Sequence, residues 1–74
     1  MYIDRNGKSH RVNYCGGKMQ KEMADRGWTL KLINRGETAQ QTYDRLAESY
    51  SQVKVYYDTT MIRGYHENFA FVKK

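Results

Sequence analysis

The chain has 74 residues, a single cysteine and a formal net charge of +5, and these values exclude several classes of protein. A chain of this length buries a modest core, so residues 1–74 are expected to form one small domain. One cysteine allows neither an intrachain disulfide nor a four-ligand zinc site, so no metal or other cofactor is expected. No apolar run reaches the roughly 20 residues that span a bilayer, and the N-terminus lacks the apolar core of a signal peptide. A cytoplasmic protein with no membrane contact is therefore expected.

The N-terminal segment predicts a short hairpin at an edge of a sheet. Asn6-Gly7 lies between two extended stretches, and an Asn-Gly pair in that position favours a tight turn because both residues tolerate positive φ. The flanking strands are polar and basic. After them, residues 18–26 predict a short helix that ends at Gly27, the residue type favoured just beyond a helix C-terminus.

Residues 28–57 predict a strand, a helix and a second strand. Trp28, Leu30 and Leu32 alternate on one face of an extended chain. Thr38 and Gln41 have capping-box spacing, and the residues that follow recur at helical spacing as one buried stripe. Because such a unit is most simply right-handed, its two strands are expected to run parallel.

The C-terminal stretch predicts a strand over residues 69–72 that pairs antiparallel with residues 53–57. A turn at Arg63-Gly64 would place Tyr56 opposite Phe71, and a loop over residues 58–68 would give another register; the sequence leaves this choice open. The predicted fold class is α+β: a small mixed β-sheet of three to five strands with two helices on one face, in the order ββαβαββ.

One predicted feature is an open aromatic face of the sheet. If Val53 and Val55 face the helices, the outer face carries Tyr56, Phe69 and Phe71, with Lys54 and Lys73 at its rim. Such a face could stack on nucleic-acid bases while the lysines hold phosphates. Two alternatives stay open: the alternation is inverted and the phenylalanines belong to the core, or the face is a dimer or partner interface.

The residue types that carry catalysis form no recognisable constellation. His66 and Glu67 are adjacent, so on a strand they face opposite sides. Cys15 lies in a Gly-rich joint where its thiol could be exposed, but a lone cysteine is more often incidental. So short a chain also leaves little room for a pocket of about 300 Å³. The sequence predicts a protein that is not an enzyme.

Two functions of different classes remain. The favoured one is a small inhibitor or adaptor that binds a protein or nucleoprotein complex by surface contact, of the kind that phages and other mobile elements encode against a host nuclease or a CRISPR-like defence complex. Its predicted contact residues lie at the aromatic-flanked tip of the last hairpin and on the sheet face: Tyr56, Asp58, Met61, Ile62, Arg63, Tyr65, His66, Phe69 and Phe71. Self-association into a homodimer is an open alternative.

The alternative function is a basic nucleic-acid-binding module. Its predicted contacts are the N-terminal hairpin and the rim of the aromatic sheet face, namely Arg5, Lys8, Arg11, Lys18, Lys21, Lys54 and Lys73. It predicts salt-sensitive binding that Arg11→Ala or Phe71→Ala weakens without loss of the fold.

Overall fold

The computed structural model describes residues 1–34, 36–58 and 67–74, with the backbone alone for Asp58 and Glu67. Its elements in chain order are β1 (Tyr2–Ile3), β2 (Ser9–His10), β3 (Asn13–Tyr14), α1 (Gly17–Asp25), β4 (Thr29–Leu32), α2 (Ala39–Ala47), β5 (Gln52–Asp58) and β6 (Glu67–Lys73). The predicted α+β class and the element order are confirmed, with the second predicted strand divided into β2 and β3.

A four-stranded mixed sheet in the order β3-β5-β6-β4 forms the centre of the molecule. β6 pairs antiparallel with β5 on one side and with β4 on the other. β4 and β5 therefore run parallel, as predicted for the strand–helix–strand unit, but they are separated by β6. The short β3 pairs parallel with β5 at the other edge of the sheet, only at Tyr56 and Tyr57.

Helix α2 covers one face of this sheet and has the predicted N-terminus. The Thr38 hydroxyl accepts a hydrogen bond from the Gln41 backbone N–H at 3.1 Å, and the Gln41 side chain accepts one from the Thr38 N–H at 2.9 Å. This capping box satisfies two N–H groups that a helix start leaves without partners. The buried stripe of α2 packs with alternate residues of the central strands, in a cluster of Tyr2, Ala39, Tyr43, Leu46, Val53, Val55, Ala70 and Val72.

Helix α1 lies over the opposite face, which corrects the expectation that both helices share one face. Its buried residue Met23 belongs to a second cluster with Cys15, Phe69 and Phe71. Phe69 and Phe71 alternate with Ala70 along β6, and successive side chains of a strand point to opposite faces. The amphipathic patterns of two helices do not say which face of a sheet each one covers, so the sequence could not decide this point.

The C-terminus of α1 follows the predicted chemistry. The Gly27 N–H donates to the Ala24 carbonyl at 3.0 Å and the Trp28 N–H to the Met23 carbonyl at 3.1 Å. These two bonds form a Schellman motif, in which the residue just past the helix takes a left-handed conformation. Gly27 has φ +92°, which only glycine adopts readily. Within the described residues, neither helix is long and apolar enough to cross a membrane.

The predicted N-terminal hairpin is present, but it forms a separate two-stranded sheet of β1 and β2. Gly7 takes φ +84° in its turn, as the Asn-Gly pair predicts. Tyr2 anchors the hairpin to the main domain: it is 5% exposed and stacks on Tyr43 of α2 with ring centroids 5.1 Å apart. Its hydroxyl accepts a 3.4 Å hydrogen bond from the Val55 N–H. The hairpin thus packs beside β5 rather than extending the sheet.

Candidate functional site

The predicted open aromatic face is covered. Phe69 and Phe71 are 3% and 1% exposed, and they pack edge to face, 5.7 Å apart, beneath Met23 of α1. Both rings belong to the core, as the alternative interpretation held, but the inverted alternation that it assumed is wrong. Val53 and Val55 face α2, and the phenylalanines are buried because α1 covers the other face, which the sequence did not reveal. Neither phenylalanine can touch a base or a partner in this fold.

The rim lysines of that face contact an indole instead of framing an aromatic patch. The Nζ atoms of Lys54 and Lys73 lie 5.3 and 5.5 Å from the centroid of the Trp28 ring. Lys73 also donates to the Arg26 carbonyl at 3.1 Å, at the C-terminal end of α1. The two cation–π contacts and the hydrogen bond at the helix C-terminus hold these lysines against the protein's own surface.

The register of the last hairpin differs by two residues from the one that a turn at Arg63-Gly64 would give. Tyr56 pairs with Phe69, and Lys54 pairs with Phe71. The shift by two keeps every side chain on its predicted face. Tyr56 is half-buried against both phenylalanine rings, and burial raises the pKa of its hydroxyl above the ordinary value.

Most of the predicted tip lies outside the described residues. These positions are Met61, Ile62, Arg63, Tyr65 and His66. Of Asp58 the structure describes the backbone, which pairs with Glu67 at the end of β5 and β6. Contact through the tip therefore stays a prediction.

Two exposed aliphatic side chains of the sheet lie on β4. Leu30 is 41% exposed and Leu32 is 62% exposed. They sit directly opposite Phe71 and Phe69, so they occupy the face that α1 covers only in part. β4 is also an edge strand, and among the described residues no other strand pairs with its outer side. We call Leu30, Lys31 and Leu32 the edge patch.

A groove lies on the other side of the sheet, between the N-terminal hairpin and the first half of β5. It has a volume of about 390 Å³, so the expectation that the chain leaves little room for a pocket was wrong. Its lining includes Arg5, His10 and Arg11 from the hairpin side, with Lys54 and Trp28 from the sheet side. We call it the hairpin groove. It gathers three of the seven basic residues predicted to bind nucleic acid.

The other basic candidates lie elsewhere. Lys8 sits in the hairpin turn, Lys18 and Lys21 lie exposed on α1, and Lys73 contacts Trp28 outside the groove lining. The seven residues therefore do not form one continuous surface. Sequence spacing could not reveal this, because α1 and the hairpin attach to different sides of the sheet.

Two groups in the hairpin groove already have structural partners. The Arg5 guanidinium donates to the Tyr50 carbonyl at 2.8 Å and the Ala47 carbonyl at 3.3 Å, where it complements the negative end of α2. The Asp4 carboxylate accepts from the Lys8 N–H at 3.0 Å and lies 2.7 Å from His10 Nε2. The hydrogen bond with His10 holds the pKa of Asp4 below its usual range.

The Asp4–His10 pair was missed by sequence reasoning. The available signal was an aspartate two residues before Asn6-Gly7, the position from which a carboxylate caps the N–H groups of a turn. Its role in the structure is to fix the hairpin: Asp4 also accepts from the Asn6 N–H at 2.9 Å. Within the part of the chain that the structure describes, no three His, Cys, Asp or Glu side chains are placed to hold a metal ion. Cys15 is fully buried, so the exposed thiol that the sequence left open is not present.

A salt bridge holds the segment that follows β4. Arg45 of α2 donates two hydrogen bonds to the Glu37 carboxylate, at 2.8 and 2.9 Å. Glu37 also accepts from the Asn34 N–H at 3.1 Å and from the Thr42 hydroxyl at 2.9 Å. These donors, the guanidinium first, lower the pKa of Glu37 to about 2. Its negative charge is thus satisfied within the fold.

Comparison of the chain with protein-family models, with curated proteins and with solved structures finds no match. The edge patch and the hairpin groove are therefore the two surfaces from which a function can be inferred.

Proposed function

We propose that the protein is a non-enzymatic protein-binding module that acts by surface contact through the edge patch. The observation that carries this proposal is the exposure of Leu30 and Leu32, at 41% and 62%, on a strand whose outer side has no partner among the described residues. Isolated exposed apolar residues are common on protein surfaces, but an apolar edge strand is a ready template for association with another chain.

The position of the patch supports the same proposal. Natural proteins usually blunt their edge strands with charge, proline, bulges or a covering segment. β4 has one charge, Lys31, and that side chain points to the α2 face, where its Nζ lies 5.9 Å from the Tyr50 ring centroid. The face that carries the two leucines is left apolar. That the partner is a host nuclease or defence complex stays a prediction, as does the mobile-element origin.

The test is site-specific photo-crosslinking in lysate. A photoreactive phenylalanine analogue in place of Leu32 should give one discrete crosslinked product. An excess of protein without the analogue should reduce the yield of this product by competition. The matched control carries the analogue in place of Ile3, an apolar residue of β1 that is 55% exposed. Equal labelling from both positions would mean non-specific contact and would contradict the proposal.

A second candidate function, binding of nucleic acid, is favoured by the hairpin groove. Three cationic side chains, Arg5, Arg11 and Lys54, line this groove beside the aromatic rings of Trp28 and Tyr56. Cations beside aromatic faces suit a single strand, whose phosphates and bases they contact together. The net charge of +5 favours approach to any polyanion.

This candidate is tested by fluorescence anisotropy of labelled oligonucleotides at low and near-physiological salt. If the groove is the site, Arg11→Ala weakens binding and reduces its salt dependence, whereas Lys21→Ala, with the same change of charge on α1, has little effect. Equal effects of the two substitutions would assign the binding to net charge alone. The Phe71→Ala variant is not informative here, because that ring is in the core.

A further inference from the structure

The backbone of the edge patch is oriented for pairing with another strand. The Cys15 N–H donates to the Tyr57 carbonyl at 2.9 Å, so this carbonyl points toward β3 and away from β6. In an antiparallel pair the residues alternate between those that bond to the partner and those that point away. Asn68, opposite Tyr57, and Ala70 two residues further on therefore direct their N–H and C=O groups toward β4.

The same alternation fixes the direction of each backbone group on β4. Lys31 pairs with Ala70, so its N–H and C=O face β6. Those of Leu30 and Leu32 then point outward, to the free side of the strand. The residues that offer hydrogen bonds to an incoming strand are thus the two with exposed apolar side chains.

The side chains of the edge patch present an apolar, a cationic and an apolar group in succession. Leu30 and Leu32 lie on the α1 face, and Lys31 lies between them on the α2 face. Glu37, five residues after Leu32 in the chain, is bonded by Arg45, so its charge is already balanced within the fold.

We infer that the edge patch receives an extended segment of a partner protein in which a carboxylate side chain stands between two apolar ones. This inference rests on the protein-binding function proposed above and names the chemistry of the partner. Main-chain hydrogen bonds to Leu30 and Leu32 supply the pairing, and the alternate side chains supply the selectivity. Residues directly opposite one another in paired strands share a face, so the apolar side chains meet the leucines and the carboxylate meets Lys31.

A second copy of this chain fits the patch less well. A two-fold antiparallel pairing that sets Leu30 against Leu32 places Lys31 against Lys31, and like charges directly opposite are destabilising. A partner carboxylate replaces that repulsion with attraction. The net charge of +5 adds a general preference for an acidic segment.

The test uses three peptides of the pattern Val-Thr-Val-X-Val-Thr-Val, in which X is Glu, Gln or Lys. Each is titrated into the isotope-labelled full chain, and backbone amide shifts report both the site and the dissociation constant. The expected result is that the shifts centre on Leu30 and Leu32, with the Glu peptide binding about threefold more tightly than the Gln peptide and the Lys peptide weakest.

A charge reversal sharpens this test. Lys31→Glu should invert the order, so that the Lys peptide binds best. Lys18→Glu is the matched control, because it makes the same change of charge away from β4. Lys18 lies on α1 close to Tyr14 of β3, the strand at the opposite edge of the sheet, so this variant should leave the order of peptide affinities unchanged. If both variants change the order equally, the preference comes from net charge and the inference is wrong.

The remaining outcomes separate this inference from the proposed function. Equal binding of all three peptides at β4 would overturn the carboxylate preference and leave protein binding through the edge patch standing. No shift at β4 with any peptide would overturn both. A dimer in solution that Leu32→Thr converts to a monomer would show that a second copy occupies the edge, which would also overturn the inference.

Discussion

The two sides of the central sheet differ in how the chain covers them. Beside the first half of β5, which the short edge strand β3 does not reach, lies the N-terminal hairpin, whose Tyr2 hydroxyl accepts a hydrogen bond from the Val55 N–H. On the other side, no strand among the described residues pairs with the outer side of β4, where Leu30 and Leu32 are 41% and 62% exposed. An exposed strand edge is a liability that folded proteins usually manage. Among the described residues, the fold therefore has a protected edge at the first half of β5 and an unprotected edge at β4.

Removal of the anchor of the protected edge should have the largest effect on stability. Tyr2→Ala deletes a ring that is 5% exposed and stacked on Tyr43, and a truncation of this kind costs about 3–5 kcal/mol of unfolding free energy. Leu32→Ala at the other edge should change it by less than about 0.5 kcal/mol. Urea denaturation followed by circular dichroism measures both. Similar losses of unfolding free energy for the two variants would contradict the difference in burial between the two edges.

Truncation of a buried side chain in the interior of the sheet should be similarly destabilising. Phe71 is 1% exposed, and Phe71→Ala should cost about 3–5 kcal/mol because it leaves a cavity under α1. Its cross-strand neighbour Leu30 is 41% exposed, so Leu30→Ala should cost much less. Thermal melts of the two variants compare them directly. A Phe71→Ala protein with wild-type stability would contradict the burial of this face.

The free energy of unfolding should depend on pH through Glu37, which lies in the segment that follows β4. The pKa of Glu37 is about 2 in the fold against an ordinary 4.5. A depressed pKa means that the stabilisation is fully present above the unfolded value and is lost as the pH falls from about 4.5 through about 2. Glu37→Gln should remove this part of the acid sensitivity, whereas Glu48→Gln, at the exposed C-terminal cap of α2, should keep it. Denaturation midpoints at several pH values measure the difference.

The smallest expected differences are in the amide hydrogen-exchange rates of single residues. They compare the protected and the unprotected edge residue by residue. On β4 the Lys31 N–H faces β6 and should exchange slowly, whereas the outward N–H groups of Leu30 and Leu32 should exchange fast. At the protected edge, Tyr2→Phe removes the hydroxyl acceptor and should speed exchange at Val55. Slow exchange at Leu32 in the monomer would show that its N–H has a partner.

Local chemistry made much of this fold predictable. The Thr38–Gln41 capping box, the Gly27 helix end and the Asn6-Gly7 turn each depend on a few neighbouring residues, and all three are confirmed. The pairing of β5 with β6 followed from two alternating strands that are consecutive in the chain.

The features that the sequence did not reveal depend on contacts between distant residues. The insertion of β6 between β4 and β5, and the position of α1 on the face opposite α2, decide whether Phe69 and Phe71 are covered. Nothing in the local pattern of β6 distinguishes a buried face from an open one, because both of its faces are apolar. The sequence named Arg5, Arg11 and Lys54 as basic contact residues but predicted no groove between them, and it did not identify the edge patch.

The central place of β6 also sets the order in which the sheet can assemble. β4 and β5 do not pair with each other, and among the described residues β4 joins the sheet only through β6. The β5–β6 hairpin closes a short loop, whereas β4 must find β6 across the whole of α2 and β5, so its docking is the slower step. A state with β4 undocked would expose Phe69 and Phe71 beside a second free edge. The strand proposed to meet a partner is thus also the one whose late arrival leaves the folding chain most prone to aggregate.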